Sequence, residues 1–182
     1  MSRAMARAFF DDPLQVWALR DPATRLSILE RVFELLSRHS SVPRGESYTD
    51  TTLACAAFWV PPGPFEVDRA AAEAMAPMLD LLGDANERFR AAEDTMRAYR
   101  PEQPHFYLQG LGTDPARQGE GLATAAIQPV LTRCDTDRLP AYLESTKDRN
   151  VGFYERHGFV VIGCPTIPLD GPKLWLMWRA PR

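Results

Sequence analysis

The sequence lacks a long apolar run, an excess of basic residues and the apolar core of a secretory signal. No apolar run reaches the roughly 18 residues that a membrane-spanning helix needs, and the N-terminal segment MSRAMARAFFDDP contains arginines but no such core. Lys and Arg number 21 against 24 for Asp and Glu, a formal net charge of −3, which argues against a protein that holds nucleic acid on a basic face. These absences predict a cytoplasmic protein that binds neither a membrane nor a nucleic acid.

Cysteine is also scarce, and its spacing follows no pattern. Cys55, Cys134 and Cys164 lie far apart, which fits neither a metal-ligand motif nor a disulfide framework. The sequence therefore predicts three reduced thiols in the core and no metal site. A chain of 182 residues that is 45% hydrophobic can bury one sizeable core, so residues 1–182 are predicted to form a single domain.

Hydrophobic periodicity and turn residues divide the chain into helices, strands and turns. The first quarter is predicted to be helical over residues 14–36, and a buried strand is predicted at 52–60, where a Pro-Pro-Gly-Pro segment ends it. The remaining predictions are helices at 66–82, 86–99, 122–130 and 150–157, and strands at 105–113, 139–145, 159–166 and 173–178. A strand, a glycine turn, a helix and a further strand over 105–145 form a βαβ unit, so its two strands are expected to lie parallel.

The segment RQGEGLATAAI, residues 117–127, contains the glycine turn of this unit. Gly119 and Gly121 lack a Cβ, so the backbone there can adopt positive φ or approach a ligand closely. The first turn of the following helix has unpaired N–H groups at the positive end of the helix dipole, which suits phosphate. The segment fits neither a P-loop nor a dinucleotide-binding motif, and an ordinary strand-to-helix turn is the alternative interpretation.

Three short motifs follow one another between residues 113 and 159. The segment QGEGLA at 118–123 has the pattern Gln/Arg-x-x-Gly-x-Gly/Ala at the start of a helix, and TDP at 113–115 precedes it at the end of a strand. Asn150, Tyr154, Gly158 and Phe159 then follow the pattern Asn-x-x-x-Tyr-x-x-x-Gly-Phe. In this order and spacing, the motifs resemble those of the GNAT superfamily of acyl-CoA-dependent N-acyltransferases.

The resemblance implies an α/β (α+β) fold, with a mixed, mostly antiparallel twisted sheet flanked by helices and a splay between its two central parallel strands. One departure from the family lies at the start, because the sequence begins almost directly in the first helix. The family's first strand, with its Arg-x-Ala-x-x-x-Asp pattern, is therefore expected to be missing, either truly or through a start site placed late. Its absence would leave a sheet edge unpaired.

The resemblance also implies acetyl-CoA as the cosubstrate. Backbone N–H groups of the glycine turn would hold the pyrophosphate, and the pantetheine arm would pair with the preceding strand like an additional strand. Gly112 is expected to mark a bulge or splay in that strand. Arg149 and Arg156 can reach phosphates or can be plain surface charges. The residues that the resemblance places against the cofactor are Leu111, Gly112, Thr113, Gln118, Gly119, Glu120, Gly121, Leu122, Ala123, Thr124, Asn150 and Tyr154.

Two catalytic side chains are predicted near this site. Tyr154 matches the family's general acid, which would protonate the leaving thiolate, and core packing is the alternative role of this residue. The amine must lose a proton before it attacks, because an alkyl ammonium with a pKa of about 10.4 has no lone pair at neutral pH. Glu144, near the C-terminal end of a parallel strand, is the predicted base. His105 and a water relay are the alternatives.

The acceptor is less well defined by the sequence. Asp11, Asp12 and Glu46 can attract a cationic acceptor or can form an exposed acidic patch. The resemblance favours an acetyl-CoA-dependent N-acetyltransferase that modifies a small-molecule amine, such as an antibiotic-like aminonucleoside, as a monomer or a homodimer. A protein-amine acetyltransferase and a non-catalytic CoA-binding module are the alternatives.

Overall fold

The computed structural model describes residues 1–43, 45–63 and 69–182. Their strands are β1 (Ser47–Thr49), β2 (Cys55–Val60), β3 (Phe106–Thr113), β4 (Ala141–Ser145), β5 (Val160–Gly163) and β6 (Trp175–Arg179). The helices are α1 (Ser2–Phe9), α2 (Pro13–Ala18), α3 (Pro22–Leu36), α4 (Arg69–Met75), α5 (Pro77–Leu82), α6 (Ala85–Tyr99), α7 (Leu122–Thr136) and α8 (Val151–Arg156).

All six strands form one sheet in the order β1-β2-β3-β4-β6-β5. The central pair, β3 and β4, lies parallel, and every other pair of neighbours is antiparallel. This arrangement confirms the mixed, mostly antiparallel sheet. Within the described residues no strand precedes α1, as expected, so the three-residue strand β1 forms one edge of the sheet.

The two parallel strands separate partway along the sheet. Their pairing begins with Phe106 opposite Ala141 and ends with Leu108 opposite Leu143, although β3 continues to Thr113. The predicted splay between the central strands is therefore confirmed. Beyond Leu108, the edge of β3 that faced β4 no longer pairs with that strand.

Of the bulge or splay predicted at Gly112, the splay is confirmed, because Gly112 lies in the part of β3 that has separated from β4, whereas the bulge lies elsewhere in β3. Trp59 pairs with Leu108 while its neighbour Phe58 pairs with Gly110, so the extra residue is Gln109. Gly112 pairs in register with Ala56 and is part of the regular antiparallel ladder. Its lack of a side chain serves the close approach of α1, as the contacts at the site show.

Two Asp-Pro pairs divide the helical region predicted at 14–36. The side chains of Asp12 and Asp21 cap α2 and α3, and each accepts a hydrogen bond from the amide two residues further on. A proline follows each cap at the first helical position, where its missing N–H costs nothing. The chain therefore forms two helices after α1 instead of one long helix.

Several other boundaries differ from the sequence prediction. The strand predicted from residue 52 begins at Cys55, because the Asp50 side chain accepts hydrogen bonds from the Thr52, Ala54 and Cys55 amides and holds them in a turn. β1 was not predicted. The helix predicted at 66–82 is represented by α4 and α5, and residues 66–68 lie outside the described part. The last two predicted strands are shorter, and α7 is longer than predicted.

Helices cover both faces of the sheet. On one face, α7 and α8 enclose a core that includes Trp59, Phe106 and Ile127. On the other face, α1 and α3 pack around Met5 and Leu29, while α2 and α6 cover a third cluster. The central strands are therefore covered on both faces, whereas the edge strand β5 is largely exposed.

The cysteines are only partly in the core. Cys55 and Cys134 are buried as predicted, but Cys164 is exposed because it follows the edge strand β5. Within the described ranges, His, Cys, Asp and Glu side chains form no group of three or more that could hold a metal ion. Among the described helices, none is long and apolar enough to cross a membrane.

Candidate active site

A cleft of about 390 Å³ opens where β3 and β4 separate. Its walls are the end of β3, the glycine turn with the start of α7, and α8 with the loop before it. All the predicted cofactor residues line this cleft except Glu120. The sequence prediction missed Ala8, Arg117, Lys147 and Phe153, which also line it. Arg117, Lys147 and Phe153 lie beside or within the three motifs, so proximity in sequence was the available signal for them.

The glycine turn leaves the start of α7 open to an anion. Gly119 and Gly121 adopt left-handed φ values of +86° and +79°, and a Cβ on either would meet no atom within 4 Å. Gly121 is the N-cap of α7 and supplies no side-chain cap. The first amides of the helix therefore remain available for a phosphate group. Glu120 instead forms an ion pair of 2.6 Å with Arg117.

The described lining of the cleft is positively charged. It includes Arg117, Lys147, Arg149 and Arg156 but no acidic side chain. Lys147 and Arg149 both pair with Asp11, at 2.5 and 2.8 Å. Arg156 forms no ion pair with a described residue. A cleft of this charge favours a ligand that carries phosphates.

Helix α1 approaches the separated part of β3 more closely than any side chain there would allow. A Cβ on Gly112 would lie 2.8 Å from Met5 Sδ, 3.0 Å from Ala8 Cβ and 3.2 Å from Phe9 Cε2. Cβ atoms essentially never approach other heavy atoms as closely as the first of these distances. A larger residue at position 112 would therefore force Met5 or the helix to shift.

Polar contacts attach α1 to both separated strands. Arg7 forms an ion pair with Asp114, directly after β3. On the other side, Lys147 follows β4 and donates a hydrogen bond of 3.1 Å to the carbonyl oxygen of Ala8. The C-terminal half of α1 thus spans the splay and forms part of the cleft wall.

The packing of α1 predicts the effect of a small substitution. We expect Gly112→Ala to lower the free energy of unfolding by about 1–3 kcal/mol, because α1 would have to move away from the strand. Gly110→Ala is the matched control, since a Cβ at Gly110 would meet its nearest neighbours at 3.6 and 3.7 Å. Urea denaturation of both variants measures the difference. Equal stabilities would contradict the close contact between α1 and β3.

Tyr154 connects the core to the cleft. It lies on α8, its ring packs edge-on against Phe153 and Phe159 at 5.2 and 5.9 Å, and it also lines the cleft. Burial raises the pKa of its hydroxyl, and the negative charge of Asp12 raises it further. The hydroxyl is therefore protonated at neutral pH. This position is compatible with both roles predicted for Tyr154, packing and proton donation.

Glu144 is enclosed beside the cleft instead of lining it. Its side chain is only 2% exposed, and its Oε1 lies 3.8 Å from a guanidinium nitrogen of Arg100. Oε1 forms no hydrogen bond within the described structure, although Tyr107 and Tyr142 lie close enough to act on the carboxylate. Burial raises the pKa of Glu144, and Arg100 and the tyrosines oppose the shift. A proton from the cleft would need a relay to reach this carboxylate.

His105 lies just before β3 and also does not line the cleft. Its ring packs edge-on against Tyr142 and Trp178 at 5.5 and 5.7 Å, and Nδ1 lies 2.6 Å from the carbonyl oxygen of Gln103. Burial lowers its pKa. The structure thus places Tyr154 in the cleft wall, but neither the predicted base Glu144 nor the alternative base His105 lines the cleft.

The acidic residues proposed as an exposed patch are mostly buried. Asp12 is 7% exposed and Glu46 is also buried, so only Asp11 fits that interpretation. Glu46 pairs with Arg133. The Thr146 hydroxyl donates a 2.7 Å hydrogen bond to Asp12 Oδ1, and burial raises the pKa of this carboxyl. The sequence missed this burial because it results from packing of the α1–α2 turn against the loop after β4.

Comparison with known proteins identifies the family and supports the fold. The model of the Acetyltransferase (GNAT) family matches residues 29–159. The chain is 28% identical over 188 residues to an uncharacterised N-acetyltransferase of Schizosaccharomyces pombe. The alignment covers 96% of this chain and 76% of that protein. A Corynebacterium glutamicum structure, described as histone acetyltransferase HPA2 and related acetyltransferase, has a TM-score of 0.68, 24% identity and coverage of 98% and 88%. Arylalkylamine N-acetyltransferase 2 of Aedes aegypti has a TM-score of 0.59, 13% identity and coverage of 100% and 93%. The chain therefore belongs to the GNAT family of acetyltransferases, which are acyltransferase enzymes.

Proposed function

We propose that the protein transfers the acetyl group of acetyl-CoA to the primary amine of a small molecule, by direct attack in a ternary complex. One observation carries the proposal: a single cleft is lined both by the start of α7, with its free amides, and by Tyr154. An anion site and a proton donor in one cleft suit an acyl thioester that carries a pyrophosphate.

The cleft offers backbone groups and cations along the path proposed for acetyl-CoA. The pyrophosphate would accept hydrogen bonds from the amides at 118–123, and Arg117, Arg149 and Arg156 would add positive charge. The pantetheine amides would pair with β3 at residues 111–113, where β4 has separated from it. Asn150 and Tyr154 line the wall on the α8 side.

The proposed chemistry assigns each proton to a group. The neutral amine nitrogen attacks the thioester carbonyl carbon, the C–S bond breaks, and Tyr154 protonates the thiolate, whose pKa as a free thiol is about 8.5. Tyr154 then regains a proton from the nitrogen of the newly formed amide, which still carries one proton too many. We propose that Glu144 accepts the proton of the amine. Its raised pKa makes it a stronger base than an ordinary carboxylate, and water would relay the proton because the side chain is enclosed.

The proposed role of Glu144 predicts a pH-dependent loss of activity. We expect Glu144→Gln to lower kcat/KM most at low pH, where the free amine is scarcest, and we expect a more basic medium to restore part of the activity. The rates would be measured over about pH 6 to 9.5, the range in which amine and thiol titrate. Glu155→Gln on α8 removes a carboxylate outside the cleft lining and is the control. An equal loss at every pH would contradict base catalysis, and His105 would become the next candidate.

A small amine is the proposed acceptor class. The wider chain, including AAFWVPP at 56–62 and QPHFYL at 103–108, also resembles puromycin N-acetyltransferase, which favours an aminonucleoside or a similar antibiotic-like amine. The position of α1 supports a small acceptor, because Ala8 at the end of this helix and Tyr154 line the same cleft. A protein lysine would instead need an open groove.

Release of free CoA thiol from acetyl-CoA tests the proposed function. The protein would be assayed with a panel of small primary amines, with a lysine-containing peptide and with no acceptor. Thiol release that depends on a small amine supports the proposal. Release with the peptide alone identifies a protein-amine acetyltransferase. If calorimetry detects CoA binding but no acceptor causes thiol release from acetyl-CoA, the protein is a non-catalytic binding module.

A further inference from the structure

Asp12 is a buried carboxylate that makes no direct contact with a cation in the described structure. It forms no ion pair within residues 1–43, 45–63 and 69–182. Its two hydrogen bonds of normal geometry come from the Thr146 hydroxyl and the Leu14 amide, and Oδ1 accepts both. Oδ2 receives no hydrogen bond from a described side chain. The ammonium of Lys147, whose charge acts on Asp12, already contacts Asp11 and the Ala8 carbonyl. A buried charge of this kind costs free energy unless a cation joins it.

The position of Asp12 associates it with the proposed transfer centre. It lies in the turn between α1 and α2, four residues after Ala8, which lines the cleft. Its hydrogen-bond partner Thr146 immediately precedes Lys147, which lines the cleft from the other side. The charge of Asp12 also acts on the Tyr154 hydroxyl. Asp12 does not itself line the cleft, but its charge acts on the group proposed to protonate the leaving thiolate.

The other carboxylates around the cleft already face cations. Asp11 pairs with Lys147 and Arg149, and Glu144 lies beside Arg100. The same holds for the pairs Glu120 with Arg117 and Asp114 with Arg7. Among these carboxylates around the described cleft, Asp12 is the one without an ion pair, because the charge of Lys147 acts on it without direct contact.

We propose that Asp12 binds the ammonium group of the acceptor, so that the enzyme selects alkylamines that are charged at neutral pH over uncharged arylamines. The inference rests on the proposed function. An ammonium would supply the missing counter-ion and would reach Asp12 next to Tyr154, where its nitrogen must attack after it loses a proton. Asp12 acts in this scheme as a specificity-determining residue.

Asp12→Asn tests the charge without removing the helix cap. Asparagine is an equally good N-cap and can accept the same hydrogen bonds from the Leu14 amide and the Thr146 hydroxyl. Benzylamine and aniline form the first matched pair of acceptors, since benzylamine is charged at neutral pH and aniline is not. We expect the ratio of kcat/KM for benzylamine to that for aniline to fall about tenfold in Asp12→Asn, the lower end for a hydrogen bond to a charged group.

Asp21→Asn is the matched control. Asp21 caps α3 before a proline just as Asp12 caps α2, but it lies outside the described cleft lining. We expect the ratio of kcat/KM for benzylamine to that for aniline to be the same in Asp21→Asn as in the wild type. We expect the affinity for CoA to be unchanged in both Asp12→Asn and Asp21→Asn. An unchanged ratio in Asp12→Asn would overturn the inference and leave the proposed function standing. A wild-type protein that releases no thiol with any matched pair of alkyl and aryl amines would overturn both.

Discussion

Tyr154→Phe is expected to lower kcat about 10²-fold, the lower end for the loss of a general acid, while the protein keeps its stability. The substitution deletes one hydroxyl and keeps the ring that packs against Phe153 and Phe159. Because burial and Asp12 both raise the pKa of Tyr154, the wild-type hydroxyl can donate a proton throughout the neutral range. The loss should therefore be similar at every pH from about 6 to 8, below the usual tyrosine pKa of about 10.

Tyr48→Phe provides the comparison for this result. Tyr48 lies on the edge strand β1 and packs partly against the same core, but it does not line the cleft. Steady-state rates with one competent amine, and thermal unfolding of all three proteins, separate chemistry from packing. If Tyr154→Phe turns over at the wild-type rate, the tyrosine serves the core alone.

Gly121→Val is expected to weaken the binding of CoA about 10²-fold or more. Valine is poorly suited to φ of +79°, and the strain of about 1–3 kcal/mol favours a rearranged turn whose amides no longer face the phosphates. A side chain at this position would also extend into the open space next to the first amides of α7. Isothermal titration calorimetry with CoA measures the effect.

Two further variants isolate the cause of the weaker binding. Gly45 has φ of +76° and the same open surroundings, so Gly45→Val introduces similar backbone strain outside the cleft lining and should leave CoA affinity unchanged. Gly121→Asn tolerates the left-handed conformation better and keeps the turn folded if valine does not. If Gly121→Asn and Gly121→Val both fold and both bind CoA with wild-type affinity, the glycine turn is not part of the CoA site.

The parts of the site that could be predicted depend on residues close together in sequence. Gly119 and Gly121 reveal a turn before a helix, and Asn150 and Tyr154 are one helical turn apart, so local spacing was sufficient. The burial of Asp12 depends on Thr146, 134 positions away, and no local pattern contains that contact. For Glu144, the strand position was correct, but the enclosing partner Arg100 comes from the end of α6.

The fold shows the same division between local and distant information. The βαβ order predicted the parallel pairing of β3 with β4, because a crossover helix requires it. At Gly112 the predicted splay is present and the alternative, a bulge, is not, while the approach of α1 was not predicted, because a glycine in the sequence does not distinguish these causes. The contact between α1 and β3 joins residues about a hundred positions apart, and it becomes evident only in the folded chain.

In the proposed ternary complex, α1 would give the two ligands a common wall. One side of the helix contacts Gly112 on the path proposed for pantetheine, and its C-terminal end continues into the turn that carries Asp12. A ligand that fixes α1 at Gly112 therefore also fixes the position of the Asp12 carboxylate. The resulting coupling free energy must be reciprocal: by whatever factor acetyl-CoA strengthens the binding of an amine, the amine strengthens the binding of acetyl-CoA by the same factor.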